Sequence, residues 1–215
     1  MSWRSIPPEN TATTTRLAIF DYGAGNLHSL MKAIAADNRE ISVETDVRVA
    51  AKADVLVLPG VGAFGAAAAA LGNQQLYLRS ALSDGLPCLG ICLGMQLLFD
   101  ASEEAEGKGI GFIGGRVTRL RTSKVPHMGW NDIEWRKTAT DAKTPQLQTG
   151  YFANAFVCGP EDESPILAWT THEEARFASV VRSANTVGVQ FHPEKSSSAG
   201  RAFVGAVIED LSRCE

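Results

Sequence analysis

The sequence lacks the features that mark several large protein classes. Its four cysteines, Cys88, Cys92, Cys158 and Cys214, share no regular spacing and form no Cys-x-x-Cys pair, so neither a disulfide framework nor a zinc site is suggested. That usage fits a reducing, cytoplasmic setting. No five Lys or Arg residues cluster, and the formal net charge is -4 with a pI near 5.6, so neither nucleic acid nor a membrane is an expected partner. No apolar run approaches the about 20 residues of a membrane helix. The segment 1–15, with Pro7-Pro8 and Thr13-Thr14-Thr15, has no apolar core of the secretory kind and reads as a flexible N-terminal tail. A nicotinamide site is also missing a part. Gly23-Ala24-Gly25 opens the right kind of loop, but His28 stands where the third glycine of a dinucleotide fingerprint belongs.

What is present is an ordinary globular composition: 215 residues, 45% hydrophobic and 20% charged. This is enough for one domain, 16–215, with a sizeable core. Leu17 to Phe20 predicts a strand, followed by a glycine turn and a helix that Asn26 can cap and that carries Leu27, Leu30, Met31 and Ile34 on one face. Ile41 to Glu44 predicts a second strand. Asp54 to Leu58 predicts a third, whose continuous apolar character suits a parallel strand buried on both faces. It runs into Pro59-Gly60-Val61-Gly62, a loop at a strand's C-terminal end, where open α/β sheets place ligands. Ala66 to Leu71 and Leu76 to Leu82 read as helices. Beyond residue 107 the pattern turns to short β-like runs: Arg116 to Leu120, Trp130 to Trp135, Tyr151 to Val157, Ile166 to Thr171, Ala178 to Val181 and Val187 to Phe191. With no Pro/Ser linker between them, these predict a mixed sheet in the same domain. Ser196-Ser197-Ser198 opens a last helix carrying Ala202, Phe203, Val207, Ile208 and Leu211.

The hydrophobic period changes at one residue, Cys92. Cys88, Leu89 and Ile91 form a run too short for a helix, whereas Leu93, Gln96, Leu97 and Leu98 fit helical spacing. The reading is strand, sharp turn and helix, with Gly90 and Gly94 removing Cβ atoms that would strike backbone as the chain reverses. Such an elbow points a helix N-terminus at the sulfur and leaves the amide of Leu93 to hold a developing oxyanion. The same pentapeptide also accommodates Cys92 as a small buried hydrophobe. Cys88, inside the strand and without flanking glycines, reads as core.

A partner for such a nucleophile lies at the end of another strand. Val187-Gly188-Val189-Gln190-Phe191 runs into His192-Pro193-Glu194. Strand ends on one sheet edge meet in space, so His192 can take a proton from Cys92 and deliver it to a leaving amine, while Glu194 holds the imidazole in the right tautomer. Of the four histidines, His192 is the one that the apolar run Val187 to Phe191 delivers, with Glu194 two residues on.

Gly90-Ile91-Cys92-Leu93-Gly94-Met95-Gln96, with Pro59-Gly60-Val61-Gly62 upstream and His192-Pro193-Glu194 downstream, resembles the class I (triad) glutamine amidotransferases. Three further stretches are similar to those of the glutaminase subunits of imidazole glycerol phosphate synthases: Asp21-Tyr22-Gly23-Ala24-Gly25-Asn26, Pro126-His127-Met128-Gly129-Trp130-Asn131 and Phe191-His192-Pro193-Glu194-Lys195-Ser196-Ser197. The likeness runs from about Leu17 to Leu211. It implies an α/β, flavodoxin-like fold with a mixed, largely parallel sheet flanked by helices. It implies hydrolysis of L-glutamine to glutamate and ammonia, with no cofactor and no metal. It also implies a heterodimer with a cyclase subunit built as a (βα)8 barrel, which uses the ammonia to make imidazole glycerol phosphate and AICAR in histidine biosynthesis.

By the same resemblance Cys92 is the nucleophile, His192 the acid/base and Glu194 its orienting partner. The amides of Val61 and Leu93 form the oxyanion hole, Gly62, Gln96 and Glu104 contact the glutamine, and Trp130 faces the cyclase. Asn26, Trp130 and Lys195 each adjoin a strand-end motif and are expected on one docking rim around Cys92. The core reading of Trp130 stands beside this one, since tryptophan in a β-like run is commonly buried. One stretch departs from the family's Tyr-Phe-Val-His-Ser/Thr-Tyr pattern: here it is Tyr151-Phe152-Ala153-Asn154-Ala155-Phe156, so the histidine, the hydroxyl and the last tyrosine are replaced. The alternatives are another amidotransferase or cysteine hydrolase of the same fold, or a non-catalytic scaffold; the three triad residues disfavour the scaffold.

Overall fold

A computed structural model describes residues 14–23, 27–137 and 145–213 of the chain. The first half alternates strands and helices: β1 (Thr15–Phe20), α1 (His28–Ile34), β2 (Arg39–Glu44), α2 (Val47–Ala50), β3 (Val55–Leu58), α3 (Phe64–Leu71), α4 (Gln75–Ser83), β4 (Cys88–Ile91) and α5 (Leu93–Leu97). The second half is mostly strand: β5 (Ala101–Ser102), β6 (Gly115–Arg119), β7 (His127–Asp132), β8 (Glu134–Trp135), β9 (Thr149–Asn154), β10 (Phe156–Pro160), β11 (Ile166–His172), β12 (Ala175–Ser183) and β13 (Thr186–Val189). It closes with α6 (Ser197–Ser212).

Eight strands form the central sheet in the order β2-β1-β3-β4-β13-β12-β11-β8. The first five are parallel, in the flavodoxin-like order, and the last three run antiparallel. Every residue of β3, β4 and β13 is buried, as apolar runs covered on both faces must be. Alternate residues serve opposite faces. Ala18, Phe20, Leu56 and Leu58 pack with Leu71, Leu78 and Met95 on one side, and Leu17, Ile19, Val55 and Val57 pack with Ile34, Phe203 and Val207 on the other. Helices α3, α4 and α5 thus cover one face and α1 and α6 the other. Among the described residues, no helix is long and apolar enough to cross a membrane.

The expected mixed sheet is present, and the second half adds two smaller sheets beside it. β8, β11, β12 and β13 join the central sheet, but β6 pairs with β5 and β10 in a three-stranded sheet, and β7 pairs with β9 in a two-stranded one. The expected run Tyr151 to Val157 breaks at Ala155 for a local reason: the Asn154 side-chain amide donates to the Phe156 carbonyl at 3.1 Å, a turn that competes with a continuous ladder. The run Trp130 to Trp135 breaks at Ile133, which turns inward and is buried. The tail boundary also moves, since Thr15 already pairs with Arg39 in the sheet. Residues 1–13 lie outside the described residues, as does Asn26. The residue at the N-cap of α1 is Leu27, whose side chain makes no capping bond.

Candidate active site

The catalytic candidates converge where β3, β4 and β13 end side by side. Leu58 pairs with Gly90, and Ile91 pairs with Val189, so the three strands deliver Pro59, Cys92 and Gln190 to one edge of the sheet. The Cys92 amide donates to the Val189 carbonyl at 2.7 Å, which continues the ladder one step past β4. There the chain reverses. Cys92 adopts φ 47° and ψ −104°, a left-handed conformation that a residue with a Cβ holds only at a cost of order 1–3 kcal/mol.

The flanking glycines make the reversal possible. A Cβ on Gly90 would lie 2.7 Å from the Gly94 carbonyl oxygen, and one on Gly94 would overlap the Leu58 carbonyl. Both are places where α5 lies directly on the backbone of the sheet, which only glycine permits.

His192 follows β13 and is 3% exposed. Its Nδ1 lies 2.7 Å from Glu194 Oε1, and Cys92 is near enough to act on the charge of its ring. Backbone bonds fix the imidazole from behind: the His192 amide donates to the Tyr151 carbonyl at 2.8 Å, and Ser196 Oγ donates to the His192 carbonyl at 2.7 Å while accepting from the Tyr151 amide at 2.8 Å. Pro193–Lys195 form a single tight turn that swings Glu194 back under the ring. Cys92, His192 and Glu194 are therefore brought together.

The electrostatics follow from that enclosure. Burial works against a charge on His192, yet its interactions with Cys92 and Glu194 outweigh burial and push its pKa from 6.5 up to about 10. Cys88, at the start of the strand that leads to Cys92, has no such partners, and burial alone drives its thiol well above the usual range. Cys158 is raised too, by burial and then by Cys92.

The loop Pro59-Gly60-Val61-Gly62 wraps the elbow. A Cβ on Gly60 would lie 3.0 Å from the Ile91 carbonyl and 3.1 Å from Cys92 Cβ, and one on Gly62 would lie 3.5 Å from Leu93 Cδ2. Gly62 has φ +117°, so the loop's hand depends on glycine there. Val61 thus sits in a loop packed against Cys92 and Leu93, and Leu93 opens α5, where amides lie beyond the helix's own carbonyl ladder. Tyr22, quoted in a motif but given no task from sequence, donates its hydroxyl to the Pro59 carbonyl and ties this loop to the end of β1. Burial and then the nearby Cys92 raise its pKa well above 10.

The remaining candidates divide. Gln96 is 5% exposed and donates to the Phe156 carbonyl at 3.2 Å and to Gln190 Oε1 at 3.4 Å. Glu104 accepts from the Phe64 amide at 3.1 Å, capping α3 from 40 residues away in sequence. Trp130 is 55% exposed and meets Tyr151 edge-on at 6.3 Å, so the core reading does not hold for it; Met128, two residues earlier on the same face of β7, is 60% exposed. Lys195 is exposed on the turn that carries Glu194. Asn26 cannot be placed with them because it lies outside the described residues. Gln190 was missed from sequence, although an amide inside an apolar run signals a buried polar group needing partners. Among the described residues no group of three or more His, Cys, Asp or Glu side chains is arranged to hold a metal ion.

The family model for glutamine amidotransferase class-I matches residues 18–206. The imidazole glycerol phosphate synthase subunit HisH of Aquifex aeolicus is 44% identical over 193 residues, covering 86% of this chain and 92% of that protein. The HisH subunit of Zymomonas mobilis is 42% identical over 215 residues, covering 94% and 98%. Among solved structures, PurLQS from Thermotoga maritima overlays with a TM-score of 0.69 at 17% identity, covering 93% of this chain and all of that one. The glutaminase domain of CTPS from Trypanosoma brucei, solved with bound acivicin, overlays at 0.57 with 16% identity, covering 91% and 94%. Those two likenesses speak to the fold, which is that of the class I glutamine amidotransferases. The matched span and the identity over nearly the whole length place the chain itself: it belongs to the class-I glutamine amidotransferase family and, within it, to the HisH subunits of imidazole glycerol phosphate synthase.

Proposed function

We propose that this chain hydrolyses L-glutamine to glutamate and ammonia with Cys92, His192 and Glu194, and passes the ammonia to a cyclase subunit that makes imidazole glycerol phosphate. The observation that carries the reading is the meeting of a strained, glycine-flanked Cys92 with a buried His192 held 2.7 Å from Glu194. The Cys92 sulfur attacks the side-chain amide carbonyl of glutamine, and the oxyanion that forms is held by the amides of Val61 and Leu93. With its pKa near 10, His192 carries a proton through neutral pH and gives it to the departing nitrogen, so ammonia leaves and a thioester remains. Water then loses a proton to His192 and attacks the thioester; the C–S bond breaks and glutamate leaves. Glu194 keeps the imidazole aligned through both transfers. Gly62, Gln96 and Glu104 contact the substrate, and Asn154, Ala155 and Phe156 give this member its own lining beside it.

The test is glutamate release, measured with and without a cyclase subunit and its nucleotide substrate. Cys92→Ala abolishes release and leaves complex formation near normal, while Cys88→Ala retains it. Release at the parent rate from Cys92→Ala sinks the mechanism.

The cyclase subunit, a (βα)8 barrel, docks on the face that carries Met128, Trp130 and Lys195, forming a heterodimer. Ammonia is protonated in open water, so the synthase gains only if this mouth is sealed, and Trp130 supplies the large apolar area an interface anchor needs. Trp130→Ala weakens the complex or raises the ratio of glutamate to imidazole glycerol phosphate above one, while ammonia-driven synthesis by the cyclase is unchanged. A ratio of one at unchanged affinity removes Trp130 from the interface.

A further inference from the structure

Gln190 places an amide inside the apolar run Val187 to Phe191, and its side chain is fully buried. A buried amide is costly unless both its ends are paired. Here both are: Nε2 lies 3.5 Å from the Cys92 sulfur, and Oε1 accepts from Gln96 Nε2 at 3.4 Å. The strand backbone fixes the residue as well, through its own amide to the Ser179 carbonyl at 2.9 Å. On the same face of the strand, Gly188 leaves room for Met95 of α5, since a Cβ there would come within 2.8 Å of that side chain.

The orientation of the two amides follows from chemistry. The Phe156 carbonyl can only accept, and it receives Gln96 Nε2 at 3.2 Å and Asn154 Nδ2 at 3.1 Å. Gln96 must therefore turn its nitrogen toward Phe156 and Gln190, so Gln190 must present its oxygen to Gln96. Its nitrogen is then left facing the sulfur, as a donor. Cys92 is 6% exposed, so water does little to solvate charge on that sulfur, and a fixed N–H beside it takes over part of that task.

We propose that Gln190 is a further catalytic residue: its N–H stabilises negative charge on the Cys92 sulfur, and its oxygen sets the orientation of the Gln96 amide toward the substrate. The sulfur is charged before attack and again when the thioester breaks, so the donor acts in both halves of the cycle. The inference rests on Cys92 being the nucleophile.

Two variants of the full chain, assayed in complex with the cyclase subunit, separate the two ends of the amide. Gln190→Met fills the space and removes both bonds: kcat for glutamine hydrolysis falls about 10- to 100-fold and KM rises. Gln190→Glu keeps an acceptor for Gln96 but turns a charge toward the sulfur: kcat falls at least as far while KM stays near the parent's. Alkylation of Cys92 by iodoacetamide, which needs no glutamine site, slows about tenfold in both, read by mass against the buried Cys88. Gln190→Asn, which keeps a shortened amide, guards against a folding failure and shifts kcat in the same direction. Parent-like kcat and alkylation in folded Gln190→Met, or parent-like kcat in Gln190→Glu, overturns the proposal. Cys92→Ala is run alongside: activity surviving there sinks the nucleophile assignment, whereas activity lost there but intact in Gln190→Met sinks only the role of Gln190.

Discussion

His127 and His192 are each 3% exposed, yet their surroundings drive them in opposite directions. His127 lies on β7, stacked 4.1 Å from the His172 ring and 4.9 Å from Phe152, and burial together with the His172 charge lowers its pKa to about 4. Its Nε2 is met by the Asn131 amide at 3.2 Å, a donor, so the ring accepts there and carries its proton on Nδ1, in the neutral form. His192 meets the same dehydration but faces Glu194 and Cys92, and its pKa rises to about 10. Burial alone therefore does not decide whether a histidine is charged. What separates the two sites is whether an anion shares the dry space, and that is decided by the turn that places Glu194 two residues on from His192.

The comparison breaks if the charged site proves no more important than the neutral one. His192→Ala tests this most directly and carries the largest effect, a loss of about 100- to 10,000-fold in glutamine hydrolysis, close to that of losing Cys92. Glu194→Gln sharpens the comparison by leaving the ring and removing its anion. Its loss of activity is smaller than that of His192→Ala, and the alkaline limb of kcat/KM moves to lower pH as His192 falls from about 10 toward 6.5. The effect on stability has a definite sign. A folded pKa above the unfolded one means that the charged His192 stabilises the fold fully below pH 6.5, and that this contribution is lost as the pH rises toward 10. Glu194→Gln reduces that loss, which urea midpoints at pH 7 and pH 9.5 measure. Equal activity losses at the two positions would give Glu194 more than an orienting part.

The charged site was legible in sequence because its signals are local. The change of period at Cys92, the glycines on either side of it and the His192-Pro193-Glu194 turn each lie within a few residues, and the parallel strands that carry them read as unbroken apolar runs. The neutral site was not legible. His127 is buried because β7 pairs with β9, His127 opposite Asn154, and that pairing is settled by partners distant in sequence. The same limit hid the cap that Glu104 places on Phe64, and the division of the later strands among three sheets. Trp130 sat in a run that suited either core or surface, and only the open face of β7 that it shares with Met128 separates them. Gln190 escaped for another reason: its run reads as apolar, and one amide within it changes the hydrophobic pattern very little.

His127→Phe tests the neutral half of the comparison, and its effect is the smallest. The ring is flat, buried among Phe152, Phe177 and His172, and its Nδ1 has no hydrogen-bond partner among the described residues, so phenylalanine keeps the packing and gives up only the bond to Asn131. Glutamine hydrolysis stays within a few-fold of the parent because no proton transfer uses this residue. The difference shows in acid. A histidine held near 4 in the fold and near 6.5 when unfolded makes the unfolded chain bind protons first, so the parent loses stability from this group as the pH falls from 6.5 to about 4, by up to about 1.4 kcal/mol per pH unit. Carboxylates facing their own partners titrate in the same range, but they do so in both proteins and cancel in the difference. Urea midpoints at pH 7 and pH 5 should therefore converge or cross, with His127→Phe gaining on the parent in acid. A constant gap between the two proteins at both pH values would mean that His127 titrates normally in the fold, and that two equally buried histidines differ less than their neighbours imply.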